Sequence, residues 1–374
     1  MVYVKTKPQK KLMAGRITID KQQGIALFQV LLITAVISIM AIQFTQTARN
    51  QLSIASTIVD RVEAQAQLRS TEAELLYSLI TEKRQQDSQS ANVYARKWNF
   101  YGKPFTLIDE PLDSTNDARQ RAQQVSFSKD GRRVKAVEIE GRDNVNITMQ
   151  DQAGLLSVFR GNAGSKFEDL LQSFKQNPAM DESEIERYVS QWGTNTANSA
   201  SFDTQLTDQI QPSIMLNSLI DWQDKDDAER INGAEANYYN RPGMPTNLPL
   251  QTYQEMRHIR GFNDQLLALL HPYVTVRPLG YFNPMQSPAR IMALYMPQDR
   301  VDEIIKRREI GELDTLQFEN LSGLEVDETI NFVTSGTLRI AIEVSVNQVR
   351  LTKELDINLQ PYNKHPYIEF EIKI

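Results

Sequence analysis

The stretch LNSLIDWQDKDDAERINGAEANYY, residues 216 to 239, is where side chains able to do chemistry crowd most densely. Between Asp221 and Glu235 stand six carboxylates, balanced only by Lys225 and Arg230. Carboxylate oxygens are hard ligands, and calcium accepts six to eight oxygens in irregular geometry. With Asp224 as the first position of a calcium loop, Asp226 falls at the third and Glu235 at the twelfth. An EF-hand also needs an oxygen ligand at the fifth position and glycine at the sixth. Ala228 and Glu229 stand there instead, so this is a poor EF-hand. A solvated acidic turn after a helix accounts for the same residues, and on the residues alone it is the simpler reading.

Other chemistries find less support. Cysteine is absent, which removes disulfides, thiolate metal sites and thiol nucleophiles. His258, His271 and His365 are far apart and form no HExxH pair, so each reads as a surface or core residue. GNAGSK, residues 161 to 166, has the wrong glycine spacing for a phosphate loop, and no GxSxG segment occurs. No carboxylate pair stands out as acid and base. The expectation is a protein that is not an enzyme. RHIRGFNDQLLALL is faintly similar to a helix-hairpin-helix DNA binder, but it lacks the Gly-x-Gly turn.

The elements that would carry the acidic stretch begin with a basic leader. Six of the 41 basic residues and one of the 47 acidic residues lie in the first 24, leaving 35 against 46 and a net charge of −11 for the rest. Such a body repels nucleic acid. Residues Ile25 to Phe44 contain only Gln29, Thr34, Ser38 and Gln43 as polar members. Twenty helical residues reach about 30 Å, the thickness of one hydrocarbon core. The flanking positive charge predicts that this end stays cytoplasmic and the acidic body lies outside. An ordinary single-span anchor is one reading of the run. No glycine or proline follows until Gly102. Leu52, Ala55, Val59, Val62 and Ala66, then Leu75, Leu76, Leu79 and Ile80, recur at helical spacing, which predicts a stalk whose outer half packs on a soluble domain.

Farther on, residues 124 to 148 alternate around an Asp130–Gly131 hairpin signal, and LRIAIEVSVNQVRLTKELDIN and PYIEFEIKI alternate with period two. Between them, SKFEDLLQSFKQ, SEIERYVSQW and VDEIIKRRE have helical patterns. Pattern alone gives an α+β class without the connectivity.

Gly24 followed by Ile25, an apolar helix and an amphipathic continuation resemble the class III leader of type IV pilins and type II secretion pseudopilins. In such proteins a membrane peptidase cuts after the glycine and the new terminal amine is methylated. Most members carry glutamate at the fifth mature position, where this chain has Gln29. The large minor pseudopilin of type II secretion, the K family, also lacks that glutamate. The 216–239 stretch is similar to the same family's signature at Asp221, Trp222, Asp224, Asp226, Gly233, Ala234, Glu235, Tyr238 and Tyr239. TMQDQAGLLSVF and GYFNPMQSPARIMALY resemble further family segments, with Met285 replacing a usual asparagine.

The resemblance implies an α+β architecture with a large all-α domain inserted into a pilin-like antiparallel sheet. Residues 1–24 would be the leader, 25–44 the transmembrane and assembly helix, and 45–100 its stalk continuation. The β region would comprise 101–160 and 331–374, and the helical insert 161–330. Cleavage and methylation would fall at Gly24 and Ile25. Gln29 would suit a first subunit, because a buried carboxylate with no amine above it would be costly. The resemblance also implies calcium in the head, with Asp224, Asp226, Glu235 and Asn237 as candidate ligands. It implies a tip subunit of the pseudopilus at the inner membrane, working with other minor pseudopilins in a ternary tip complex, the prepilin peptidase and the assembly platform. A minor pilin of a type IV pilus and a membrane-tethered ligand-binding module are the alternatives.

Overall fold

The computed structural model describes residues 22–85, 90, 92–107, 126–127, 133–134, 142–159, 164–176, 208–359 and 365–373. The chain divides into two compact units, Met1–Val59 and Asp60–Ile374.

The first unit is the apolar part of helix α1, Gln22–Thr81. It is long and apolar enough to cross a membrane. Its hydroxyl residues turn back onto the helix: Thr34 Oγ1 donates to the Leu31 carbonyl (2.9 Å) and Ser38 Oγ to that of Thr34 (2.7 Å). Thr45 and Thr47 do the same one turn farther. These polar atoms are thus satisfied without water, as a hydrocarbon setting requires.

In the second unit, α1 buries Ala64, Leu68, Thr71, Leu75, Ser78 and Leu79. That spacing keeps the residues on one helix face. The sequence reading differs here: Val62 and Ala66 are solvent-facing, and so are Leu52, Ala55 and Val59 in the first unit. Small Ala64 and Thr71 do the packing that the larger residues were expected to do. The helix also stops at Thr81 rather than running to 100. No large apolar residue stands between Ile80 and Val93 to hold another turn against the core. A separate short helix follows, α2, Val93–Lys97, capped by the Asn92 side chain on Tyr94 N–H.

The sheet is antiparallel in the order β1 (Phe105–Leu107), β4 (Arg142–Asp151), β7 (Thr337–Val346), β8 (Val349–Asn358), β9 (Ile368–Lys373). β2 (Ser126–Phe127) and β3 (Arg133–Val134) pair antiparallel on either side of the Asp130–Gly131 signal, whose turn lies outside the described residues. The β7–β8 hairpin turns at Asn347, held at φ 51°, a left-handed conformation that asparagine tolerates. Alternation gives the sheet two faces. Val145, Ile147, Leu338, Ile340, Ile342, Val344, Leu355 and Ile357 join Leu68, Leu75 and Leu79 in one apolar core. Lys353 to Glu72 (2.6 Å) and Asn347 to Asp60 (3.0 Å) tie the helix to the sheet at its margins.

The other face carries Arg339, Glu354 and Asp356, all buried. Arg339 and Arg277 both reach Asp356 at 3.3 Å, and His271 Nε2 lies 3.1 Å from Glu354. Arg339 Nη1 also donates to the His271 carbonyl at 2.6 Å. Burial lowers the arginine's pKa, but Asp356 and Glu354 outweigh burial and raise it.

The helical insert leaves the sheet after Asp151 and returns before Thr337. Asp151 ties both ends: its carboxylate accepts from Ala153 N–H (3.0 Å), Ser335 N–H (2.9 Å) and Ser335 Oγ. In the insert, α3 (Gly164–Gln176), α4 (Pro212–Gln223), α5 (Ala236–Tyr239) and α6 (Asp264–Leu270) surround a core that includes Phe167, Leu171, Phe174, Leu219, Trp222 and Tyr253. Three later helices are α7 (Ala289–Met292), α8 (Gln298–Glu309) and α9 (Thr315–Ser322), and all three contribute to a second cluster with Phe332. The region is not wholly helical: β5 (Leu156–Ser157) and β6 (Val274–Thr275) form a short parallel ribbon. The expected helix over SEIERYVSQW lies outside the described residues.

Candidate functional site

The acidic stretch follows α4. Proline at the start of that helix needs no N–H partner, and the apolar residues Met215, Leu219 and Trp222 bury its core-facing side. Trp222 is anchored by its indole N–H on Glu255 (2.9 Å) and by edge-on contact with Tyr239 (ring centroids 5.3 Å apart). This fixes Asp221, fully buried beside it, at the root of the loop.

Asp221 organises the loop. It accepts from the backbone N–H of Arg230 (3.2 Å) and Ala234 (2.9 Å) and from Arg230 Nη1 (2.8 Å). Gly233 makes room for this: a Cβ there would lie 1.9 Å from Asp221 Oδ2. The same Arg230 Nη1 also donates to Asp224 Oδ2. The guanidinium pKa is raised, first by the hydrogen bond to Asp221 and also by Asp224.

The remaining carboxylates differ from Asp221. Glu235 is only 3% exposed, yet neither of its oxygens accepts a hydrogen bond among the described residues. Asp224 Oδ1 and Asn247 Oδ1 are buried and unpartnered as well. Burial pushes the Glu235 pKa up to about 7, aided by the negative charges of Asp221, Asp224, Asp227 and Asp226. Asn247 Nδ2 reaches Asp227 at 3.3 Å. Arg260 serves the backbone, donating to the Gly233 carbonyl (2.7 Å) and lying over the Tyr238 ring (4.8 Å).

Of the four candidate ligands, Asp224, Asp226 and Glu235 share one electrostatic cluster, in which only Asp224 and Glu235 have buried, unpartnered oxygens among the described residues. Asp226 is exposed and spends an oxygen on Ala228 N–H (3.0 Å); Asn237 is exposed on α5. Among the described residues no three His, Asp or Glu side chains converge as a ready metal shell. What the loop offers is an excess of negative charge and orphaned hard oxygens, a donor set that fits a divalent cation such as calcium. Asn247 was not singled out as a ligand from sequence; its buried, unpartnered Oδ1 shows only once the chain is folded.

At the other end of the chain, Gly24 and Ile25 fall inside α1, with side chains outside the described residues, and Gln29 is exposed. Within the second unit, Val62 and Ala66 are exposed while Ala64 and Leu68 are buried. Two residues turn a helix by about 200°, so these pairs occupy opposite faces. Leu52, Ala55, Val59, Val62 and Ala66 keep the three-and-four spacing of a helix-pairing seam.

A long apolar N-terminal helix, an antiparallel sheet and a helical insertion define a mixed α+β chain. Residues 193–279 match the family model of type II secretion system protein K. The type II secretion system protein K of Klebsiella pneumoniae is 26% identical over 258 residues. That match covers 68% of this chain and 62% of the relative, less than two thirds of its length. Among solved structures, the GspK–GspI–GspJ complex of the enterotoxigenic Escherichia coli type 2 secretion system includes a chain 15% identical to this one. The alignment covers 87% of this chain and 98% of that one, with a TM-score of 0.41. Within residues 193–279, and more weakly over 258 residues, the chain is similar to the type II secretion system protein K family.

Proposed function

We propose that this chain is the tip subunit of a type II secretion pseudopilus, initiating the fibre and capping it during protein export. It would be held in the inner membrane by α1, with the leader cytoplasmic and the head periplasmic. The observation that carries this reading is the two-faced stalk. Within the second unit one face of α1 is used up on the chain's own sheet, and the opposite face presents Val62 and Ala66 to solvent. Exposed apolar surface of this kind marks an interaction site, and the natural occupant is the stalk of another pilin-like subunit. The family supports the choice of other minor pseudopilins. Cleavage after Gly24, methylation of Ile25 and a neutral Gln29 suited to a first subunit complete the reading. The prepilin peptidase and the assembly platform enter as the machinery that such a helix requires.

The acidic loop would hold calcium. Asp224 Oδ1, both Glu235 oxygens and Asn247 Oδ1 are the buried acceptors that fit it, with Asp226 and Asn237 at the exposed rim. The ion would supply positive charge where the fold supplies too little. Asp221 would position the loop, and Gly233 would let it close.

The test uses the full chain in detergent with small pilin-like subunits from the same secretion system. Val62→Asp should abolish co-purification while leaving the melting temperature unchanged; retained binding would overturn the stalk assignment. Mass spectrometry of the mature N-terminus should find methylated Ile25, and a working form that keeps residues before it would overturn the processing. Chelation should lower the melting temperature, whereas identical curves with and without EDTA would remove the calcium.

A further inference from the structure

The acidic loop contains its own cation. Arg230 Nη1 donates to both Asp221 and Asp224, but the two acceptors depend on it unequally. Asp221 has two backbone N–H donors besides, from Arg230 and Ala234. Among the described residues, Asp224 has only the guanidinium on one oxygen and nothing on the other, and Glu235 has no donor at all. The Arg230 side chain is 39% exposed, so it has solvent on one side into which it can withdraw. Lys225 is exposed, and Arg260 is engaged with Tyr238 and the Gly233 carbonyl.

We infer that Arg230 is a tethered counter-ion that competes with a divalent cation for Asp224, holding the loop together in the cation's absence and weakening cation affinity in exchange. This rests on the reading of the loop as a cation site. Arg230 supplies a single charge to a cluster containing Asp221, Asp224, Asp226, Asp227 and Glu235. It therefore cannot neutralise Glu235 as well as Asp224. A doubly charged ion, bound by the Asp224 carboxylate and the unpartnered Glu235 oxygens, can serve both. When the guanidinium leaves Asp224, Asp221 keeps its backbone donors, so the root of the loop survives the exchange. Without Arg230, Asp224 and Glu235 would repel each other in the cation-free chain, and the incoming ion would meet no competitor.

The experiment is a calcium titration of the full chain in detergent micelles, stripped of metal, by isothermal calorimetry. Arg230→Gln should lower the calcium Kd at least tenfold and widen the gap between cation-free and calcium-loaded melting temperatures. An Arg230→Gln affinity equal to or weaker than wild type overturns the competition while leaving the cation site standing. Glu235→Gln should abolish binding in either background. If Glu235→Gln still binds, or if the wild-type and Arg230→Gln chains both fail to bind, the cation reading itself falls and the competition with it. A second readout needs no variant. Phenylglyoxal labelling of wild-type Arg230, followed by peptide mass spectrometry, should accelerate when calcium is added, because the guanidinium is released from Asp224. Unchanged or slower labelling overturns the proposal even if Arg230→Gln does not fold.

Discussion

The sheet face and the 221–235 loop both gather carboxylates around arginine, but in different proportions. On the sheet, Arg277, Arg339 and His271 meet Asp356 and Glu354. The cations at least match the anions there. In the loop, Arg230 alone bridges carboxylates, and Glu235 is left buried without a partner. A buried charge costs several kcal/mol unless it is paired. The sheet face meets that condition with its own residues and joins sheet to insert. The loop leaves the condition unmet, and a deficit of positive charge inside a fold is what a bound cation removes. Charge balance, more than the number of acidic residues, separates the structural cluster from the candidate site.

The largest test of this contrast removes the balancing charge from the sheet. Arg339→Met leaves Asp356 and Glu354 with fewer partners in a buried layer, and breaking such a network costs about 3–5 kcal/mol. Urea unfolding of the full chain in detergent should show this loss whether or not calcium is present. A loss below about 1 kcal/mol would mean that the sheet network is no better compensated than the loop.

Gly233→Ala comes next. The added methyl would stand 1.9 Å from Asp221 Oδ2, so the carboxylate must move away from the Ala234 and Arg230 N–H groups. Displacing a buried hydrogen-bonded carboxylate should cost about 2–4 kcal/mol and weaken any calcium response with it. A variant with wild-type stability and calcium affinity would show that Asp221 does not organise the loop.

The next largest effect depends on pH. Glu235 ionises at about 7 in the folded chain against 4.5 for an ordinary glutamate. A group whose folded value is raised leaves stability intact below its unfolded value and takes it away as pH climbs through the folded value. In chelator, Glu235→Gln should therefore stabilise the chain above pH 7 by up to about 3 kcal/mol and change nothing near pH 4.5. Parallel urea curves for the two chains at both pH values would show that Glu235 is not the under-neutralised group.

Much of this architecture is legible in the sequence. The β7–β8 hairpin announces itself by period-two alternation with Asn347 at the turn, and α3 by Phe167, Leu170, Leu171 and Phe174 at helical spacing. The stalk is harder. Two stripes of similar side-chain size overlap between Val62 and Leu68, so spacing alone does not say which one is left in solvent. Only the sheet decides which face is taken, because Ala64 and Thr71 allow close approach where bulkier residues would not. The sheet-face network could not be read at all, since His271 and Glu354 or Arg277 and Asp356 are joined by folding and not by spacing. In the loop, the crowd of acids is plain, but the EF-hand register gives Asp226 the same standing as Glu235. Burial behind Trp222 and the reach of Arg230 separate them, and neither is local in the chain.

Asp226 provides the smallest and most discriminating change. Its Oδ1 accepts from Ala228 N–H, a contact that asparagine can keep, and the side chain is exposed. Asp226→Asn should therefore alter stability at pH 4.5 by less than about 0.5 kcal/mol. Its charge nevertheless contributes to the raised pKa of Glu235, as the last and weakest of the four aspartates that do so. Removing that charge lowers the folded pKa slightly, so the pH at which the loss of stability from Glu235 is complete should move downward and the loss itself should shrink. Calcium affinity should fall only modestly, because a rim carboxylate attracts the ion through solvent and the buried acceptors remain. If Asp226→Asn instead abolishes calcium binding while Glu235→Gln spares it, the site is the exposed turn, and the comparison between a balanced and an unbalanced buried cluster loses its second half.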